Sequence, residues 1–226
     1  MIRAAIFDFN GVLVDDEHVH FELFREILAP EGVVLDESMY HERYLGYDDR
    51  GCFGAALVDA DRSADRALID ALIAKKAERY AEVAETDLKF FPNATETVAA
   101  LADAFPVAIC SGALRAEIEY ALKRLRVRDR VVSIVSAKDT TRCKPDPEGY
   151  LIALERLRAR LPDLSAEECL AIEDSLAGVQ AARSAGMVPI GVTHTYLRDD
   201  LLNAGAIAVV DGLTEITPEF LAKILV

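Results

Sequence analysis

Asp8-Phe9-Asn10-Gly11-Val12-Leu13-Val14-Asp15 closes the apolar run that begins at Ile2. Residues 2–9 read as a short buried strand, and Asn10-Gly11 as the turn that ends it. Taken alone, a carboxylate that ends a strand could simply cap the next turn. Working outward, similar runs recur and each stops at polar groups. Residues 107–110 stop at Ser111-Gly112, 131–135 at Ser136, and 170–172 at Glu173-Asp174; 188–192 and 207–210 follow. Helical patterns at 94–104, 115–125, 147–158 and 176–185 separate them.

Strands alternating with helices from about residue 88 onward predict an α/β fold, a doubly wound, Rossmann-like parallel sheet with helices on both faces. Residues 16–87 break the alternation. Their apolar residues fall at helical spacing, with His20, Leu23, Phe24 and Ile27 on one stripe and Leu68, Leu72 and Lys75-Lys76 through Tyr80 on another helix. An inserted α-helical domain over 16–87 is therefore expected within a core of residues 1–15 and 88–226, the chain returning through a linker at 86–92, where Phe90-Phe91-Pro92-Asn93 breaks the pattern.

Composition narrows the partners. In 226 residues, 39 Asp and Glu outnumber 25 Lys and Arg, for a formal charge of −14. Such a surface repels nucleic acid and anionic lipid, so a small molecule is the expected partner. Cys52, Cys110, Cys143 and Cys169 are scattered without metal or disulfide spacing, which fits buried thiols in a reducing compartment. The opening apolar run is too short for a signal sequence and no stretch approaches a membrane span, so a cytoplasmic protein is expected, monomer or weak homodimer.

In a doubly wound sheet, ligands bind at the carboxyl ends of the strands. Asp8 and Asn10, Ser111 and Gly112, and Glu173 and Asp174 should converge there, with Lys144 of Arg142-Cys143-Lys144-Pro145-Asp146-Pro147 following the third strand. This set contains a carboxylate nucleophile, a hydroxyl and an ammonium for phosphate oxygens, and carboxylates for a divalent metal. Mg²⁺ favours a few carboxylates plus substrate and water, which matches Asp8, Glu173 and Asp174.

With these four motifs in order, the whole chain resembles the haloacid dehalogenase superfamily, in the helical-cap branch of phosphoglycolate phosphatases and β-phosphoglucomutases. The resemblance rests on Asp8 to Asp15, Ser111-Gly112, Lys144-Pro145-Asp146-Pro147 and Glu173-Asp174-Ser175-Leu176-Ala177-Gly178-Val179. It implies Asp8 as nucleophile and metal ligand, Ser111 and Lys144 on the transferred phosphoryl group, and Glu173 and Asp174 holding Mg²⁺ with the main-chain carbonyl of Asn10. It also implies that 16–87 is a substrate-selecting cap, in which Arg50 holds the far end of a small phosphorylated metabolite. A phosphatase-like hydrolase working through an aspartyl-phosphate is the expected function. The alternatives are a sugar-phosphate mutase, or a metal- and phosphate-binding protein with impaired or engineered-away turnover. Glu173-Asp174 speak against metal-free dehalogenation.

One position departs from the family. Its phosphatases and mutases carry Asp where Asn10 stands, as the acid and base for both proton transfers, and an amide has no titratable proton. His20, early in the insert, is the nearest substitute; His18 faces elsewhere on a helix. Simpler roles compete at other positions. Ser111 suits the N-cap of a helix over 113–125, Asp174 the cap of one starting at Ser175, and Asp15 or Asp16 a hinge or N-cap. Tyr40, Tyr44 and Tyr47 suit a packed helical interior, Arg115 a surface charge, and His41 and His194 receive no role.

Overall fold

A computed structural model describes residues 1–224. Six parallel strands form the central sheet: β1 (Ala4–Phe7), β2 (Val107–Cys110), β3 (Val131–Val135), β4 (Cys169–Glu173), β5 (Val188–Val192) and β6 (Ala208–Val210). Their spatial order is β3-β2-β1-β4-β5-β6, the doubly wound arrangement whose switch point lies where β1 meets β4. β1 sits between two parallel partners, with Phe7 paired to Ile109 and to Ile172. All four residues of β1 and all five of β4 are buried, which is why these strands read as unbroken apolar runs rather than alternating ones.

Helices at Ala94–Ala104, Arg115–Arg124, Glu148–Leu157, Leu176–Ser184 and Arg198–Ala204 connect the strands. One core cluster packs Ile6, Ala108, Val135, Leu154, Leu157 and Ala171. Small adjustments separate the elements from their expected bounds. Glu173 is still within β4, and β6 begins at Ala208 rather than at residue 207. Ser111 does not cap the following helix, whose N-cap is Leu114; its hydroxyl accepts from the Ala113 N–H at 3.1 Å. The helix from Leu176 is capped by Ser175, which accepts from Gly178 N, so Asp174 is left for another role.

The chain divides into two compact units, Met1–Val14 with the residues from Phe90 onward, and Asp15–Lys89. The second is helical, with α-helices at Glu17–Leu28, Asp49–Asp59 and Arg66–Asp87. Asp48 and Asp65 cap the latter two by accepting from Gly51 N and Leu68 N. Its own core gathers Phe24, Ile27, Tyr40, Phe53, Leu57 and Leu72, with Phe24 and Phe53 edge to face at 5.0 Å. Tyr40 and Tyr44 are interior, whereas Tyr47 is exposed, contrary to its expected packing. Asp16 precedes the first helix without capping it through its side chain; it is fully buried and accepts from the Tyr80 hydroxyl at 2.5 Å. Among the described residues, no helix is long and apolar enough to cross a membrane.

Candidate active site

The switch point places Asp8 beside Glu173. Asp8 is the first residue beyond β1, and its N–H donates to the Ile172 carbonyl at 2.9 Å, so the parallel register carries both acids to the same sheet edge. Asp174 follows directly. Ligand oxygens of Asp8, Glu173 and Asp174 lie within 4.8 Å of one another, and all three residues are buried. Ser111, next after β2, is anchored by its N–H to the Val135 carbonyl at 3.0 Å, and its hydroxyl donates to Asn10 Oδ1 at 3.4 Å. Gly112 lies beside it in an exposed turn.

Lys144 bridges the acids: Nζ is 3.0 Å from Asp8 Oδ2 and 2.6 Å from Glu173 Oε1. Tyr150 donates to the same Glu173 oxygen at 2.7 Å, while the Ser175 hydroxyl donates to Oε2 at 3.1 Å. Glu173 is walled in by the helix that follows; a Cβ on Gly178 would lie 1.9 Å from Oε1, so only glycine fits there. The Asp174 carboxylate accepts from the Thr195 hydroxyl.

The electrostatics follow from three buried carboxylates around one ammonium. Burial, then the charge of Glu173, pushes the Asp8 carboxyl up to about 7, against the pull of Lys144. Burial and the charges of Glu173 and Asp8 likewise hold Asp174 well above the carboxylate range. Burial works against the charged form of Lys144, but Asp8 and Glu173 more than offset it and keep the ammonium protonated. Asp8 Oδ1 is buried and accepts no hydrogen bond, which is costly for an acceptor. An excess of buried negative charge and an unsatisfied carboxylate oxygen fit a hard divalent cation held by oxygen ligands.

Asp8, Asn10, Ser111, Lys144, Glu173 and Asp174 thus meet at one edge of the core sheet. His20 and Arg50 belong to the helical insert and are engaged there. Arg50 pairs with Asp70 at 2.6 Å on an exposed face. His20 Nδ1 lies 2.8 Å from the Lys76 ammonium, Nε2 lies 3.3 Å from Asp16 Oδ2, and its ring stacks on Tyr80. Arg115, read as a surface charge, donates to the Ile134 carbonyl at 2.6 Å. Tyr150 and Thr195 carry no reading from the sequence, and His194 is given no role there. The last two had a usable signal, because they follow the carboxyl end of β5 and the strand-end rule applies to every strand. Tyr150 had none beyond its place in an amphipathic helix.

The sequence matches the haloacid dehalogenase-like hydrolase family over residues 2–186, and the chain belongs to that family. Its relatives include phosphatases and mutases. A phosphorylated carbohydrates phosphatase of Thermotoga maritima is 32% identical over 213 residues, covering 92% of this chain and 94% of the relative. A β-phosphoglucomutase of Bacillus subtilis is 28% identical over 196 residues, covering 84% and 83%. Among solved structures, an aspartate-to-asparagine mutant of CbbY from Rhodobacter sphaeroides in complex with xylulose 1,5-bisphosphate superposes with a TM-score of 0.81 at 27% identity, over 96% of each chain.

Proposed function

We propose that this protein is a phosphomonoester hydrolase acting on a small phosphorylated metabolite, with Asp8 as its nucleophile. The observation that carries this reading is the convergence of Asp8, Glu173 and Asp174 with Lys144 shared between two of them. Asp8, Glu173, Asp174 and the main-chain carbonyl of Asn10 would hold Mg²⁺, which supplies positive charge to offset the phosphoryl oxygens and the buried acids. Lys144 keeps Asp8 in reach of the ionised form and offers a donor to a phosphoryl oxygen, as does the Ser111 hydroxyl. An Asp8 oxygen attacks phosphorus, the bond to the leaving oxygen breaks, and an aspartyl-phosphate forms. Water then attacks the same phosphorus, releasing inorganic phosphate and regenerating the carboxylate.

Asn10 donates no proton to the leaving oxygen and takes none from the water. Turnover of poor leaving groups is therefore slow, while binding is retained because Asn and Asp share a shape. A solved relative with asparagine in place of an aspartate, in complex with xylulose 1,5-bisphosphate, supports that reading. Likeness to the phosphorylated carbohydrates phosphatase makes sugar phosphates the first substrates to screen. Phosphate release from p-nitrophenyl phosphate and a sugar-phosphate panel tests the proposal: release abolished by Asp8→Asn supports it. Turnover that survives Asp8→Asn removes the nucleophile, and tight binding without turnover even in Asn10→Asp makes the protein a binder.

A further inference from the structure

Beyond β5, two adjacent side chains each hold one half of a single close contact in the site. His194 Nδ1 is 2.8 Å from the main-chain oxygen of Gly11; a carbonyl only accepts, so Nδ1 carries the proton. The same imidazole lies flat on Phe91, centroids 3.7 Å apart and planes within 7°, which restricts the ring to one orientation. Thr195, the next residue, donates its hydroxyl to Asp174 Oδ2. Gly11 and Asp174 themselves abut: a Cβ on Gly11 would lie 1.9 Å from Asp174 Oδ2, and its φ of +72° suits glycine.

We infer that His194 and Thr195 are positioning residues, His194 for the Asn10-Gly11 turn and Thr195 for the Asp174 carboxylate. The inference rests on the proposed site with Mg²⁺ at Asp8, Glu173 and Asp174. A carboxylate rotates about its last torsion, and fixing one oxygen orients the other. Without the Thr195 hydroxyl, Asp174 Oδ2 loses that donor and the carboxyl group is freer to turn. Without the imidazole N–H, the Gly11 peptide loses its tether, and the carbonyl of Asn10, one peptide earlier, loses its fixed direction. Partners one step beyond the ligands commonly set metal affinity by 10–100-fold.

Four variants test this, with Mg²⁺ affinity from isothermal titration calorimetry and turnover of p-nitrophenyl phosphate as readouts. Thr195→Val should weaken Mg²⁺ binding by about 10–100-fold, and Thr195→Ser should restore most of it. His194→Phe keeps a ring against Phe91 but has no donor; kcat should fall by about tenfold or more with KM little changed, and His194→Asn, which returns an N–H near the same place, should recover much of the rate. If Thr195→Val does not fold by circular dichroism, Thr195→Ala supplies the same loss and is read in the same way. Parental Mg²⁺ affinity in the hydroxyl-free variant together with parental kcat in His194→Phe overturns the inference while leaving the site intact. A parent protein that binds no Mg²⁺ overturns the metal reading and this inference with it.

Discussion

Asn10 places a primary amide two residues after Asp8, the proposed nucleophile, in contact with the Ser111 hydroxyl at 3.4 Å. The amide accepts and donates hydrogen bonds but does not exchange a proton near neutral pH. General acid–base assistance is worth roughly 10²–10⁴-fold, so its absence weighs most where the leaving oxygen is basic. Asn10→Asp should raise kcat toward an alkyl phosphate by about that factor, and by much less toward p-nitrophenyl phosphate, whose leaving group departs as a stabilised anion. Measuring both substrates with both proteins is decisive: an equal gain on each takes proton transfer out of the explanation. The position was legible in the sequence because a substitution in a motif needs no coordinates. That the Ser111 hydroxyl meets the amide was not legible, since the contact spans 101 residues.

At the level of elements, the helix Arg66–Asp87 shows how a periodic pattern conceals a buried charge. Lys75-Lys76 reads from sequence as two residues of a helix that passes from Leu72 to Tyr80. In the structure Lys76 is 1% exposed, with Nζ 2.5 Å from Asp49 Oδ1, 2.8 Å from His20 Nδ1 and 4.4 Å from the Phe24 ring centroid. An ammonium is held inside only by such a complete set of partners. Lys76→Met would leave the Asp49 carboxylate and His20 Nδ1 without it, and should cost about 3–5 kcal/mol in urea unfolding; a cost under about 1 kcal/mol would mean that the network contributes little. The strands of the central sheet, in contrast, were legible element by element, because strands buried on both faces in a parallel sheet are continuously apolar, whereas the two-residue strands Val14–Asp15 and Lys89–Phe90 were not.

For the molecule as a whole, the buried acids link stability to pH and to metal. Asp8 titrates at about 7 in the folded protein and near 3.9 when unfolded. The folded state therefore holds the proton more tightly; this stability is complete below the unfolded value and is lost as pH rises through 7. Without metal, the Tm should fall between about pH 4 and 7, by an amount equivalent to at most roughly 4 kcal/mol. Asp8→Asn should flatten the slope. Mg²⁺ at a hundred times its Kd should add about 2.7 kcal/mol at neutral pH, and EDTA should remove it. A Tm that does not respond to Mg²⁺ in the parent protein would count against metal at the acidic cluster.

The order of residues along the chain carries the alternation of strands and helices and the polar groups that end successive strands. Each is a local pattern of polarity along the chain, and the doubly wound sheet follows from it. Only the tertiary structure decided how those ends share their hydrogen bonds. Lys144 is divided between Asp8 and Glu173, Tyr150 donates to Glu173, Thr195 donates to Asp174, His194 donates to the Gly11 carbonyl, and Asp8 Oδ1 has no hydrogen-bond partner among the described residues. The physical reason is register: pairing β1 with β4 fixes which side chains of distant segments come within 3 Å, and no periodicity in the chain encodes that distance.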